Sequence, residues 1–257
     1  MTRWQSTSVW IALIVAFAPV LVDLGRNLAI SPAAHSTIIS PLLIVFCLVR
    51  GRGRRVPRFR SGIALLFLGV VLEIVGIVGY SWSIARLGLP IAIIGVAGWT
   101  GTMPLAVASL AFWMIPIPDF VLSFTTPNLE SALLSAAATV VGAIGVDVTT
   151  VGPVARIAAD RLELVASDTG ILLAFVLSEF GWLMAALRSA RPIQFFATAG
   201  CFGLLAVPLQ LIAVIIALAV LAAGWPLAAE AWLLHGVWPT VALGAVLYLR
   251  ARGVLNA

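Results

Sequence analysis

The chain contains no lysine; all fifteen of its basic residues are arginine. Charge of either sign is scarce, at 10% of residues, against about 25% in soluble globular domains. So few charges do not suffice to solvate the surface of a water-soluble fold. Cysteine occurs twice, as Cys47 and Cys201, each inside an apolar run, which argues against a disulfide framework or a cysteine-based metal site. Histidine also occurs only twice, as His35 and His235. There is no phosphate loop, no metal-ligand spacing and no supported Ser-His-Asp order, so no motif calls for a cofactor. The formal charge of +5 would suit nucleic acid, but the position of the charge argues against that partner. Arg50, Arg52, Arg54, Arg55, Arg58 and Arg60 crowd one loop between two apolar runs, which is the pattern of a cytoplasmic membrane loop.

Hydrophobic residues are abundant instead, at 62% of the chain with a mean hydropathy of +1.15. Apolar runs recur along the whole length and predict an all-α polytopic membrane protein, with the lipid bilayer as first partner. About eight transmembrane helices are expected, near residues 8–24, 36–50, 61–80, 85–99, 102–117, 169–187, 193–222 and 236–249. The runs at 85–99 and 102–117 are divided only by Gly98-Trp99-Thr100-Gly101-Thr102, which leaves a re-entrant pair open. The one long polar connection, 118–168, should hold an interfacial or re-entrant helix near 131–144. After it, a small extended cap is expected between spans five and six. No repeat or linker divides residues 1–257, so a single domain is expected. Arginine placement sets the orientation. With both termini cytoplasmic, Arg3, the six-Arg loop, Arg188, Arg191, Arg250 and Arg252 lie inside, eleven of the fifteen arginines.

Two segments place polar groups at the mouth of a span, where such groups are costly and usually functional. Val165-Ala166-Ser167-Asp168-Thr169-Gly170 leads into the apolar run from Ile171, and Leu234-His235-Gly236 into the run from Val237. Upstream, Trp113-Met114-Ile115-Pro116-Ile117-Pro118-Asp119 closes a span, and Leu162-Glu163-Leu164-Val165 precedes the first mouth. Downstream come Ala206-Val207-Pro208-Leu209 and Gly224-Trp225-Pro226. This order resembles the exosortase/archaeosortase family of multi-span membrane cysteine transpeptidases. In that family an Ala-Cys-Ser-Gly segment opens one span, an Arg sits near the outer end of the next, and a His opens the last. His235 stands at the place of the His, Thr169 at that of the Ser, and Gly170 is kept. Asp168 stands where the family has its Cys, Ala217 falls near its Arg, and no arginine lies between Arg191 and Arg250. The resemblance implies candidate catalytic residues His235 and Asp168, and substrate-binding residues Arg161, Thr169 and His35. It also implies an inner-membrane location. The implied partners are carboxy-terminal sorting tails of secreted proteins or envelope polysaccharide machinery.

A cysteine transpeptidase needs a thiolate nucleophile, a proton shuttle and a donor for the tetrahedral oxyanion. Asp168 is a poor nucleophile toward an amide, and Ala217 donates nothing, so thiol transpeptidation is not expected. Cys201 lies well along a helix and reads as a small buried thiol. Asp168 is also a favoured helix N-cap, and an Asp168–His235 pair supporting hydrolysis is the enzymatic alternative. A third possibility is a small transporter or scaffold, with Glu73 and Glu179 as ion-coupling residues; a structural pairing of each acid is the simpler expectation. Trp10, Trp82, Trp99 and Trp238, near span ends, read as interfacial anchors. If the orientation holds, a cysteine at Trp225 is labelled from outside the cell and one at Arg55 is not; labelling at Arg55 would reverse it.

Overall fold

Proline and glycine decide where the helices of this chain break and how closely they pack. The computed structural model describes residues 3–30, 40–42, 44–45, 58, 60–117, 119–164, 170–187 and 192–225. Most of the span expected at 36–50, and all of that at 236–249, lie outside the described residues. The chain groups into two compact units, Met1–Pro116 with Gly181–Thr198, and Ile117–Phe180 with Ala199–Ala257.

In the first unit, α1 (Arg3–Ala16) and α2 (Ala18–Ile30) meet at Phe17 with a bend of 61°. Pro19 accounts for the break, since its ring clashes with the carbonyl four residues back. Phe17 is fully buried at the bend, with Leu13, Val20 and Leu24 on the same core. Next come α3 (Gly62–Val78) and α4 (Trp82–Thr100), joined by Gly79-Tyr80-Ser81. They form the tightest contact among the described residues. Gly62, Gly69 and Gly76 recur every seven residues on α3; Ala85 and Ala92, and Gly88 and Gly95, do so on α4. A seven-residue repeat keeps one seam facing its partner, and small residues let two backbones touch. A Cβ on Gly69 would lie 2.6 Å from the Gly88 carbonyl oxygen and 2.7 Å from Ala92 Cβ. One on Gly62 would lie 2.6 Å from the Gly95 carbonyl oxygen, and one on Gly76 would run into the Ala85 backbone.

The expected span at 102–117 is not a long helix. Gly101 ends α4 in the left-handed region, at φ 66°, and α5 (Leu105–Ala108) is a single turn. Ser109–Met114 then winds as a 3-10 helix. Ten such residues are too short to cross a hydrocarbon core of about 30 Å. Ser109 ties this segment down: its hydroxyl donates to the Ala106 carbonyl at 2.7 Å and accepts from Trp182 Nε1 at 2.8 Å. The Trp182 ring meets Trp113, Phe195 and Phe196 edge to face.

The second unit holds α6 (Asp119–Ala143), three short strands, most of α7 (Ile171–Leu187), the end of α8 (Pro192–Leu204) and α9 (Ala206–Ala222). The segment expected as a separate interfacial helix at 131–144 is instead the second half of the 25-residue α6, which continues through Pro127. The extended cap is present as an antiparallel meander of β1 (Thr149–Val151), β2 (Val154–Ile157) and β3 (Asp160–Glu163). Gly152, at φ 60°, opens the two-residue turn that pairs Val151 with Val154. Ala155, Ile157, Leu162 and Leu164 of the sheet pack on Leu134 and Ala137 of α6 and on Val214, Ala217 and Leu218 of α9.

Among the described residues, two stretches are long and apolar enough to cross a membrane, Trp82–Thr100 and Ile193–Ala222, and the bent α1–α2 pair would make a third. That composition fits a membrane protein. Of the other expected spans, α3 and α7, at 17 residues each, are shorter, 102–117 is broken, and 236–249 with most of 36–50 lies outside the described residues. The hairpin gives a direct test. Gly69→Val is expected to destabilise the protein by at least the ~1–3 kcal/mol typical of an overpacked core. Gly142→Val, where a Cβ meets nothing within 4 Å, is expected to lose far less on thermal unfolding in detergent. Equal losses would mean that the seam is not in contact.

Candidate functional site

The 165–170 motif can be followed from its last residue. Gly170 has φ 78°, a backbone region that glycine enters without penalty. Its carbonyl accepts from Ala174 N at 2.7 Å and so starts α7. A Cβ on Gly170 would lie 3.0 Å from Gln210 Cβ and 3.2 Å from Gln210 Cγ. Gln210, on α9, is 3% exposed. The methylenes of a buried glutamine therefore pack against the glycine that ends the motif. Asp168 and Thr169 of that motif lie outside the described residues, as do His235 and His35.

Arg161 is described. Strand β3 alternates, with Leu162 and Leu164 buried and Arg161 and Glu163 exposed. Arg161 stands directly opposite Arg156 in the strand register, and Arg156 is exposed as well. Like charges placed opposite each other repel, and Glu163, two residues from Arg161, is exposed on the same face of the strand.

Ala217 is fully buried, and its neighbours in the core are apolar. Its place on α9 is filled by packing against α6 and the sheet. Cys201 corrects an expectation. It is an exposed free thiol on α8, not a buried one. Gly200, Leu204 and Leu205 beside it are exposed too, so no described residue covers that face. Leu204 and Leu205 make it an apolar surface of the kind that lipid covers.

The two acids within apolar helices differ. Glu179 is fully buried and has an interaction partner, in keeping with a structural pairing, although its Oε2 makes no hydrogen bond among the described residues. Glu73 departs from that expectation: it is 4% exposed, and its Oε1 has no hydrogen-bond partner among the described residues. Of the proposed anchors, Trp10 donates from Nε1 to Thr102 Oγ1 at 3.2 Å, Trp82 is 43% exposed, and Trp238 lies outside the described residues. Near Trp82, an open groove of about 440 Å³ is lined by Ala18, Pro19, Val22, Asp23 and Arg26. Asp23 accepts from Arg86 Nε at 2.7 Å at this groove. Among the described residues no group of three His, Cys, Asp or Glu side chains is placed to hold a metal ion.

Sequence reasoning did not single out Gln210. Its signal was available, since it is the one strongly polar residue in Ala206–Ala222 and lies two helical turns before Ala217. No protein-family model matches the chain, and no curated protein or solved structure matches it.

Gly170→Ala is expected to lower stability by about 1–2 kcal/mol, the penalty for an L side chain in the left-handed region. Gly170→Asn should cost less, because Asn tolerates that region. Thermal unfolding in detergent checks both, and an unchanged Gly170→Ala would show that the mouth of α7 is not held in this conformation.

Proposed function

We propose that this chain is an exosortase-like integral membrane protein that binds carboxy-terminal sorting tails, or serves envelope polysaccharide assembly, without thiol transpeptidation. In this reading it crosses the inner membrane about eight times, with both termini cytoplasmic. The observation that carries the proposal is the apolar burial of Ala217. Cleavage of an amide through a tetrahedral intermediate needs a donor for the oxyanion, and the helix position that supplies it in the family is core here. The nucleophile position, Asp168, carries a carboxylate in place of a thiolate.

What remains suits recognition. Gln210, buried on α9 with its Cβ and Cγ against Gly170, holds the end of the 165–170 motif in place. Arg156 and Arg161 stand opposite each other on the exposed face of the sheet. A peptide tail has carboxylates for these arginines.

Candidate tail proteins are co-expressed with the wild type, with Cys47→Ser/Cys201→Ser, with His235→Ala and with Gln210→Leu. The expectation is uncut tails that co-purify with the wild type. Gln210→Leu should weaken that association about tenfold, which is ~1.4 kcal/mol. Cutting that the double cysteine variant abolishes would overturn the proposal. Cutting that survives in that variant and stops with His235→Ala would replace binding with hydrolysis by Asp168 and His235. Tails that neither co-purify nor are cut would remove the tail-binding reading.

A further inference from the structure

We propose that Glu73, set in the glycine-walled seam between α3 and α4, is a binding site for a small monovalent cation, a proton or sodium. The inference does not rest on the tail-binding reading, since it concerns the first unit alone.

Glu73 is the one charged residue of Gly62–Val78. It lies about 16 Å along the helix from Gly62, at 1.5 Å per residue, with about 8 Å remaining to Val78. The rest of α3 is apolar or glycine, and its outward residues Ile74, Val75 and Val78 are more than half exposed. The carboxyl does not share their surroundings. At 4% exposed it is enclosed by the chain, and its Oε1 meets no hydrogen-bond donor among the described residues.

The walls around it explain why. Gly69, four residues before, and Gly76, three after, share its helix face. Across the seam stands Gly88, where a Cβ would lie 3.0 Å from Glu73 N. Glycine therefore lines the seam beside the Glu73 backbone, and among the described residues no side chain of α3 or α4 pairs with its carboxyl. The one charged residue of α4, Arg86, is held by Asp23 of α2 at 2.7 Å. Arg26, the other charged residue among the described side chains of α2, is exposed, and α5 and the 3-10 helix carry none.

An ionised carboxylate enclosed in apolar surroundings without a partner is strongly disfavoured. The group is neutral in such a site only with a proton on it or a cation beside it. One carboxylate, with no second acid or imidazole grouped with it among the described residues, matches a single positive charge and not a divalent ion.

The test uses the full chain in lipid nanodiscs and N,N′-dicyclohexylcarbodiimide, an apolar reagent that adds to a protonated carboxyl and rearranges to a stable N-acylurea. Tandem mass spectrometry is expected to find the adduct on Glu73 of the wild type, with Glu73→Gln losing it. A sodium site shows as several-fold slower labelling in sodium chloride than in choline chloride. A proton site shows no sodium effect, and labelling falls about tenfold per pH unit above its midpoint. Absence of the adduct on Glu73, or a rate indifferent to both sodium and pH, overturns the proposal. Because the adduct is localised on the wild type, the result stands even if Glu73→Gln does not fold.

Discussion

The first unit depends on a contact between two backbones. Most helix pairs in a protein are held apart by the side chains between them, whereas α3 and α4 meet with glycine or alanine at each crossing point. Without a hydrophobic driving force between helices in lipid, association rests on close van der Waals packing, and small residues supply it. The same choice fixes the surroundings of Glu73. Placing glycine at positions 69, 76 and 88 leaves the acid with neither a donor nor an opposing charge from the seam. Stability and an unsatisfied carboxyl come from one set of residues. The ion pair of Asp23 and Arg86 lies on another face of α4, so α4 meets an enclosed acid on one side and a satisfied charge pair on the other.

The second unit is organised by apolar filling. Leu162 and Leu164 point one edge of a small sheet into α6 and α9, and strict alternation sends Arg161 and Glu163 outward. Ala217 sits in the middle of that packing. A cation at the same place would bring a charge into a core with no partner for it, which is costly. Gln210, two turns earlier on α9, is buried as well.

Much of the class was legible in the sequence, and its finer parts less so. Scarce charge and recurring apolar runs pointed to membrane helices, and β-branched residues after Gly145 pointed to an extended cap. The break at Phe17 had a visible cause in Pro19, but an apolar run alone does not report a bend. The run at 102–117 misled for the same reason: hydropathy counts apolar residues, and does not register that Gly101 and Pro104 restart the chain or that a 3-10 winding follows. The heptad of glycines was plainly written, yet a search for chemistry passes over residues without side chains. Cys201 looked buried because free cysteines usually are; its exposure follows from the uncovered face of α8. Gln210 became visible only when Gly170 was placed beside it. Asp168, Thr169, His35 and His235 rest on the resemblance alone.

The seam is the claim on which the account depends most directly, and it can be measured in the bilayer. Solid-state NMR of the uniformly carbon-13-labelled chain in lipid membranes reads contacts between the two helices without any substitution. Cross-peaks between Gly69 Cα and Ala92 Cβ, and between Gly76 Cα and Ala85 Cβ, are expected at short mixing times. Their absence, in spectra where contacts within each helix are strong, would contradict the backbone-to-backbone hairpin and with it the enclosed site at Glu73.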